Sequence, residues 1–381
     1  MKHTARRLDK VNEYVFASLA KSAWSWEKET GKKILDLSVG SPTFPPSVEY
    51  VNKLKEYMSE PASYLYPGYG AIPAFSDGLI QWYKTRFGVD VKKDELFPLL
   101  GGKDGVSHIP LALVDEGDEI LVPNPGYPAF VGPALMLGAK VVPYSLPEDT
   151  HFKLSISEIE QKISSKTKLI WVNFPSNPTG QVASREELEQ LVALCKKRNI
   201  WLIYDNAYAE IAYDGYVSPS ILQVPGAIDV AVEIGSFSKM YSFAGFRMGW
   251  IVGNPEVIAA VAKVKSQFDS GLSYPLQKLG AYVLTHPDLA WHANMIGQYQ
   301  KNKQMLIQMC AGLGLQTYDP QGSLYLWAKI PDRYGDSAEY AMELMKTKHI
   351  LVTPGTAFGS GGVRHVRLSF SSDISQLHHY I

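Results

Sequence analysis

The sequence lacks the features that indicate a disulfide-stabilised protein, a zinc protein or a membrane protein. Cysteine occurs twice, as Cys195 and Cys310, with no C-x-x-C pair, so neither a disulfide framework nor a metal site is predicted. No apolar run approaches the roughly 18 residues of a membrane-spanning helix. The basic N-terminal segment also lacks the continuous apolar stretch of a signal peptide. We therefore expect a cytoplasmic protein.

Charge of one sign is not in excess either. The 37 lysines and arginines are balanced by 38 aspartates and glutamates, which gives no electrostatic reason to expect nucleic acid or a membrane surface as a partner. Internal repeats, low-complexity tracts and long linkers are missing as well. The composition is typical of a metabolic enzyme.

What the sequence does contain is a generous supply of apolar and aromatic residues. The chain has 381 residues, of which 46% are hydrophobic and 12% aromatic. This length exceeds what a single hydrophobic core usually supports. Two domains are therefore expected.

Strand-like runs alternate with helical patterns through the middle of the chain. The predicted strands span residues 118–123, 139–143, 168–173, 201–204, 230–234 and 249–253. Among the helical patterns, residues 184–197 begin with Ser184 and Glu187 at the spacing of a capping box. Alternation of this kind predicts an α/β fold, with a mostly parallel sheet and helices on both faces. Ligands of such sheets bind at the carboxyl ends of the strands.

The most informative segment is residues 236–250, in which Lys239 lies among small, aromatic and apolar residues. A lysine in a dry pocket beside other cations has a lowered pKa, and its free amine can form an imine with an aldehyde. Ser236 and Arg247 carry the hydroxyl and guanidinium groups that bind phosphate. Together these residues indicate pyridoxal 5′-phosphate (PLP). Taken by itself, the segment also fits a loop with one solvated lysine and one solvated arginine.

The same segment resembles the lysine motif of the fold-type I, class I/II aminotransferases, S-x-S-K-x-x-x-x-x-G-x-R-x-G, at every anchor position. Other segments match motifs of that family in the same order along the chain, at residues 101–103 (GGK), 124–128 (NPGYP), 177–180 (NPTG), 205, 208, 354–359 (PGTAFG) and 367–370 (RLSF). The resemblance covers about residues 35 to 370. Within the family, the block that begins at Gly101 is most similar to LL-diaminopimelate and aspartate aminotransferases.

The resemblance implies a large domain, with a mostly parallel sheet between helices, and a smaller α+β domain. We expect an N-terminal arm and part of the small domain at residues 1–45. The large PLP-binding domain would span residues 46–285. Residues 286–381 would form the small C-terminal domain.

The resemblance also implies a set of cofactor-binding residues. These are Gly101, Gly102, Lys103, Tyr127, Asn177, Asp205, Tyr208, Ser236, Ser238, Lys239, Arg247 and Tyr66. In this interpretation Asp205 pairs with the pyridine nitrogen, so that the ring accepts electrons from the substrate Cα. Tyr208 and Asn177 hydrogen-bond the phenolic oxygen, and Tyr127 stacks on the ring. The segment that starts at Gly101 begins a helix whose free N–H groups bind the phosphate.

The substrate contacts implied by the resemblance are Arg367, Asn177 and Gly40. The guanidinium of Arg367 would bind the α-carboxylate of the amino acid through two hydrogen bonds, and Arg364 is the alternative that the sequence leaves open. The backbone at Gly40 would close over the substrate. Lys239 would be the catalytic residue, acting as general base and acid.

Tyr66 resembles the tyrosine that, in relatives, reaches the phosphate of the partner subunit. A homodimer with shared active sites is therefore expected. The neighbouring sequence departs from the family pattern, since Ala71 stands where a glycine is usual. The choice among Tyr64, Tyr66 and Tyr69 consequently stays open at this stage.

These residues predict an aminotransferase of amino acid biosynthesis that moves an amino group between an L-amino acid and a 2-oxo acid such as 2-oxoglutarate. Lys103 either meets the distal carboxylate of a dicarboxylic or diaminopimelate-like substrate or extends into solvent at its helix start. The alternative function is a PLP-dependent C–S lyase or another enzyme of the same fold. A PLP-binding transcription regulator is disfavoured, because no helix-turn-helix precedes the first enzyme motif.

Overall fold

The structure is a computed structural model, and it describes residues 4–375, 377 and 380. Its α-helices are α1 (Val15–Thr30), α2 (Val48–Met58), α3 (Pro73–Phe87), α4 (Gly102–Leu113), α5 (Val131–Leu137), α6 (Ile156–Lys162), α7 (Arg185–Arg198), α8 (Phe237–Met240), α9 (Pro255–Lys265), α10 (Tyr274–Thr285), α11 (Leu289–Gly312) and α12 (Ser337–Lys348). Its strands are β1 (Leu35–Asp36), β2 (Leu96–Leu99), β3 (Glu119–Asn124), β4 (Lys140–Ser145), β5 (Thr167–Asn173), β6 (Trp201–Asp205), β7 (Ala231–Ser236), β8 (Gly249–Gly253), β9 (Gln316–Tyr318), β10 (Tyr325–Lys329), β11 (Ile350–Leu351), β12 (Thr353–Pro354) and β13 (His365–Ser369).

The central sheet has, in the described part of the chain, seven strands in the order β2-β8-β7-β6-β5-β3-β4. The five strands β3 to β7 run parallel to one another, whereas β8 is antiparallel to both β7 and β2. The six predicted strands and the mostly parallel α/β arrangement are confirmed. Strand β2, which contains Pro98, is not among the predicted strands. Proline is tolerated here since β2 lies at the edge of the sheet.

Helix α7 begins with the capping box that the sequence predicts. The Glu187 backbone N–H donates to Ser184 Oγ at 3.1 Å, and the Ser184 N–H donates to the Glu187 carboxylate at 2.7 Å. The helix buries Leu188, Leu191 and Cys195 against one face of the sheet. Apolar clusters cover both faces of the central sheet, so its strands carry continuous hydrophobic runs.

A second, antiparallel sheet in the described residues has the order β12-β13-β10-β9. Strand β10 pairs with β13 so that Trp327 lies opposite Arg367. The short strand β1 runs parallel to β11, with Leu35 opposite Ile350, which places the N-terminal segment beside the C-terminal part of the chain. The domain limits at residues 45 and 285 stay a prediction.

The order of the central strands reverses between β3 and β5. From β3 the chain adds β4 on one side, and it then returns to place β5, β6 and β7 on the other side. A reversal of this kind opens a crevice at the carboxyl ends of the strands. No helix in the described part of the chain is long and apolar enough to cross a membrane.

Candidate active site

A cavity of about 280 Å³ opens at the carboxyl ends of the parallel strands. Its walls bring together predicted site residues that are far apart in the sequence: Gly40, Gly102, Lys103, Tyr127, Asn177, Asp205, Tyr208, Ser236, Ser238, Lys239, Arg247 and Arg367. Asp205 is the last residue of β6, and Ser236 is the last of β7. The cavity therefore lies where the strand pattern predicts a ligand.

Lys239 lies in α8, one short turn of helix after β7. Its Nζ donates a hydrogen bond to the carbonyl oxygen of Gly40. Burial lowers the pKa of Lys239 to about 8, with smaller effects from the positive charges of Arg367 and Arg247. A pKa near 8 leaves about one lysine in ten as the free amine at pH 7, so this amine can act as a nucleophile or a base.

An anion-binding cradle lies beside Lys239. Helix α4 begins at Gly102, which leaves the first N–H groups of the helix free for an anion. Gly101 has a φ of 85°, and a methyl group at this position would collide with the guanidinium of Arg247. Arg247 Nη1 lies 3.5 Å from Ser238 Oγ, while Ser236 Oγ accepts the Ser238 N–H at 3.2 Å. These donors suit a phosphate group.

Asp205 is a buried carboxylate, 7% exposed. Burial raises its pKa to about 7, and the Ala207 N–H, which donates to it at 3.3 Å, only partly opposes this rise. No cationic side chain of the described residues forms an ion pair with Asp205. An unpaired buried carboxylate is unfavourable, so the site fits a ligand with a positive charge at this end.

Arg367 presents the opposite case, a buried guanidinium that is 1% exposed. Its Nη1 donates to Asn177 Oδ1 at 2.8 Å, and its Nη2 donates to the Ser38 carbonyl. Within the described residues its Nε has no hydrogen-bond partner, and no carboxylate forms an ion pair with it. The pocket thus combines an unpaired buried anion with an unpaired buried cation.

The alternative arginine lies elsewhere. Arg364 donates to the carbonyls of Tyr334 and Pro331 and forms an ion pair with Asp332 at 3.3 Å. It is not among the residues that line the cavity. The hydrogen bonds and the ion pair of the Arg364 guanidinium are therefore made within the protein, away from the cavity.

Tyr208 and Tyr127 are both in the cavity wall, and burial raises the pKa of each phenol well above the usual value of 10. The hydroxyls of Tyr208 and Tyr325 are 3.0 Å apart. Asn177 donates its backbone N–H to Asn173 Oδ1 at 2.9 Å. These phenols stay protonated at neutral pH and can donate hydrogen bonds into the pocket.

Three aromatic residues of the cavity wall are not among the predicted site residues: Tyr14, Phe16 and Tyr325. Tyr14 and Phe16 lie at the start of α1, and the Phe16 ring centroid is 4.8 Å from the guanidinium carbon of Arg367. Tyr14 donates to the Tyr127 hydroxyl at 3.3 Å. No local pattern marks the first two residues, whereas the alternation of Tyr325 and Trp327 along β10 could have indicated a shared face with Arg367.

Lys103 occupies the wall between the cradle and α1. Its Nζ lies 3.8 Å from the centroid of the Tyr14 ring, a distance at which the ammonium is attracted to the ring face. Partial burial and the charge of Arg247 lower the pKa of Lys103. In this arrangement the Tyr14 ring covers the ammonium group of Lys103.

Tyr66 and Gly101 are predicted site residues that do not line the cavity. Gly101 adjoins it as the N-cap of α4. Tyr66 is 89% exposed and lies on an outer loop with Tyr64, Leu65 and Tyr69, which are also exposed. Within its own chain, Tyr66 therefore does not reach the site.

The arrangement fits one class of ligand. A phosphate would match the cradle, a protonated ring nitrogen would match Asp205, and an aldehyde would match the amine of Lys239. A carboxylate would match Arg367. The residues present therefore accommodate PLP together with an amino acid.

Sequence comparison agrees with this chemistry. The profile of the family described as aminotransferase class I and II matches residues 32–381. LL-diaminopimelate aminotransferase of Dehalococcoides mccartyi (strain CBDB1) is 33% identical over 374 residues, which are 98% of this chain and 96% of the relative. Glutamate-pyruvate aminotransferase AlaC of Escherichia coli (strain K12) is 36% identical over 366 residues, covering 95% of this chain and 88% of AlaC.

Solved structures share the fold. Apo-BacF from Bacillus subtilis superposes with a TM-score of 0.95 at 31% identity, covering 100% of this chain and 97% of that one. An aspartate aminotransferase of Thermus thermophilus with maleate has a TM-score of 0.93 at 24% identity, covering 100% and 98% of the two chains. The second likeness concerns the fold alone.

Proposed function

The chain belongs to the class I and II aminotransferases, a PLP-dependent family of fold type I, and from this membership we propose which of its residues carry the reaction. The enzyme moves an amino group between an amino acid and a 2-oxo acid. The observation that carries the assignment of residues is the pair of unpaired buried charges, Asp205 and Arg367, on either side of Lys239.

PLP supplies an aldehyde that receives the amino group and a protonated ring that accepts electrons from the substrate Cα. Asp205 would hold the proton on the ring nitrogen, because an ionised partner relieves its own unfavourable burial. The cradle of Ser236, Ser238, Arg247 and the N-terminus of α4 would bind the phosphate. Tyr127 would lie against the ring, and Tyr208 and Asn177 would donate hydrogen bonds to its phenolic oxygen.

Lys239 is the proposed catalytic residue. Its lowered pKa would let the amine act as a base that accepts the proton of the substrate Cα and, once protonated, as an acid that donates it again. The Gly40 carbonyl, which accepts a hydrogen bond from Nζ, would hold the amine over the site. We also propose that the backbone at Gly40 closes over the substrate, as the resemblance to the family implies.

Arg367 would bind the α-carboxylate through two parallel hydrogen bonds. The Asn177 side chain, at 2.8 Å from Nη1, orients the guanidinium. Three rings also surround the guanidinium carbon: Phe16 at 4.8 Å, Tyr325 at 4.2 Å and Phe358 at 4.9 Å. These rings exclude water, which strengthens the ion pair with the substrate.

We further propose that the amino acid is dicarboxylic or diaminopimelate-like, with 2-oxoglutarate as the oxo acid. Lys103 would meet the distal carboxylate once this carboxylate takes the place of the Tyr14 ring. The relatives whose names contain LL-diaminopimelate and glutamate support this class. The proximity of Arg247 also favours an anion near Lys103.

A donor screen tests the proposed function. Given a dicarboxylic donor and no acceptor, the enzyme should release one equivalent of 2-oxo acid per site and no ammonia, and it should turn over once 2-oxoglutarate is added. Lys103→Met should lower kcat/KM for dicarboxylic donors roughly 10- to 100-fold, as expected for one lost hydrogen bond to a charged group, and affect alanine less.

Two outcomes would contradict these proposals. Continuous release of 2-oxo acid and ammonia from the donor alone would favour the lyase alternative. An equal loss for alanine and for dicarboxylic donors in Lys103→Met would place this side chain in cofactor binding rather than in substrate recognition.

We propose a homodimer in which Tyr66 serves the partner's site. The loop 64–69 exposes three tyrosines and a leucine. The loop lies against the main body at Gly271, where a side chain would collide with the carbonyl of Gly68. Contiguous exposed apolar groups of this kind mark a protein interface, and a second copy of the chain is the expected occupant.

A complementation experiment tests the shared site. Tyr66→Ala and Lys239→Ala should each be strongly impaired, and mixing them under conditions of subunit exchange should restore about one quarter of wild-type activity, since half the dimers are hybrids with one intact site. Lys239→Ala mixed with Asp205→Ala is the matched control and should restore none. If exchange occurs and the first mixture stays inactive, Tyr66 does not act across the interface.

We also propose a cytoplasmic role in amino acid biosynthesis. Cys195 and Cys310 are both free and buried. Free thiols persist in a reducing compartment. This property supports the proposed location.

A further inference from the structure

Tyr325 has no role in the motifs discussed above, yet it touches three parts of the active site. It is the first residue of β10 and is buried. Strand β10 pairs with β13 so that Trp327 faces Arg367. Because side chains alternate along a strand, Tyr325 points to the same face as Trp327, diagonally opposite Arg367.

The first contact of Tyr325 is with Tyr208, whose hydroxyl is 3.0 Å from its own. Within the described residues, the Tyr208 side chain forms no other hydrogen bond. Each phenol has one proton. If Tyr325 donates to Tyr208, the Tyr208 proton is free to point into the cavity. If Tyr208 donates to Tyr325 instead, its proton is engaged in that hydrogen bond and does not point into the cavity.

The second contact is with Arg367. The Tyr325 ring centroid lies 4.2 Å from the guanidinium carbon, the shortest of the three ring distances around this group. The third contact is with the Gly40 segment, since a methyl group at Gly40 would overlap the Tyr325 hydroxyl. The absence of a side chain at Gly40 therefore lets its backbone, whose carbonyl accepts the hydrogen bond from Lys239 Nζ, approach the Tyr325 ring.

Packing alone does not require the hydroxyl. Tyr325 also belongs to an apolar cluster with Leu324, Leu326 and Leu368, where phenylalanine would fill nearly the same volume. A buried hydroxyl is favourable only when it is hydrogen-bonded. Its partner here is the tyrosine proposed to bind the cofactor's phenolic oxygen.

We propose that Tyr325 is a positioning residue that turns the Tyr208 hydroxyl toward the cofactor's phenolic oxygen while its ring fixes Arg367 for the substrate carboxylate. The inference rests on the proposed role of Tyr208. The two functions belong to different parts of one side chain. Tyr325→Phe removes the hydroxyl and keeps the ring, whereas Tyr325→Leu removes both.

The test uses the PLP-loaded enzyme and two readouts. The first is the pH titration of the absorbance of the bound cofactor. Tyr208 donating to the phenolic oxygen favours its ionised form, so Tyr325→Phe should raise the absorbance pKa by about 0.5–1 unit, the size of one neutral hydrogen bond. The second is KM for the amino donor, which should stay near the wild-type value in Tyr325→Phe and rise several-fold in Tyr325→Leu.

A double-variant cycle separates this role from general stability. Tyr208→Phe alone should raise the absorbance pKa, and adding Tyr325→Phe to it should cause no further shift, because Tyr325 acts through Tyr208. A wild-type titration curve in Tyr325→Phe, beside a shifted one in Tyr208→Phe, would overturn the proposal and leave the role of Tyr208 intact. An unshifted curve in Tyr208→Phe would overturn both. Equal KM values for the amino donor in Tyr325→Phe and Tyr325→Leu would overturn the proposal that the Tyr325 ring fixes Arg367.

Discussion

Lys239→Ala is expected to abolish turnover without preventing PLP from binding. The anion cradle, Asp205 and Tyr127 are intact in this variant, so the cofactor should remain bound noncovalently. The amine proposed to exchange the proton at the substrate Cα is lost, which should lower the rate roughly 10²- to 10⁴-fold from proton transfer alone. Loss of the nucleophile adds to this effect.

Two measurements check the prediction. Borohydride treatment followed by mass spectrometry should place a covalent cofactor label on the Lys239 peptide of the wild type and none on the variant. Lys196→Ala is the matched control, because Lys196 forms an exposed ion pair with Asp229 and such pairs contribute little. Near-wild-type transamination by purified Lys239→Ala would show that the assignment is wrong.

The lowered pKa of Lys239 adds a pH dependence. The free amine is the reactive form, and its fraction falls about tenfold for each pH unit below a pKa of about 8. The rate at which the cofactor-free protein captures PLP covalently should therefore rise with pH and level off above about pH 8. A rate that still increased tenfold per unit toward pH 10 would indicate a solvated lysine.

Replacement of Asp205 is the second change expected to have a large effect. It should lower the activity of the PLP-loaded enzyme but raise the stability of the cofactor-free enzyme. In the loaded enzyme, Asp205→Ala removes the partner of the ring nitrogen and should cost about 2–5 kcal/mol in transition-state stabilisation, as for other broken buried pairs. Asp205→Glu keeps a carboxylate and should be milder. Unchanged kcat/KM in Asp205→Ala would contradict the electron-accepting role of the ring.

In the cofactor-free enzyme the same carboxylate is destabilising. Burial raises the pKa of Asp205 from 3.8 to about 7, so the folded state binds this proton more tightly than the unfolded chain does. Stability therefore falls as pH rises from about 4 to 7, and the loss is complete above pH 7. Asp205→Asn removes this titration and keeps the shape of the side chain.

The stability of unloaded Asp205→Asn relative to the wild type should thus increase by about 2–3 kcal/mol between pH 5 and pH 8. Urea unfolding of both proteins at the two pH values measures this difference. Addition of PLP should stabilise the wild type much more than the variant, since the cofactor supplies the missing positive charge. Parallel pH profiles for the two unloaded proteins would show that Asp205 is not desolvated.

Features encoded in contiguous residues could be read from the sequence. The predicted strands and the capping box of α7 follow from local patterns of polarity and turn chemistry, whereas the helix that begins after Gly101 was implied by the resemblance to the family. The Lys239 segment and the Asn177 turn also identified the family, because the spacing of their polar residues is fixed by the loops that follow β7 and β5. The placement of these residues at one edge of the sheet follows from the parallel strand order.

Only the tertiary structure decided which distant side chains meet. Tyr14 and Tyr127 are 113 residues apart in the sequence, and Tyr208 and Tyr325 are 117 apart; contacts over such separations leave no periodic signal in the chain. Whether a charge is paired is likewise a property of everything that surrounds it, so the sequence could name Asp205 and Arg367, and only the structure shows that neither side chain forms an ion pair with any of the described residues. Local physics therefore determined the elements and the reactive groups, whereas long-range packing determined the electrostatic state of these groups and which aromatic residues line the cavity.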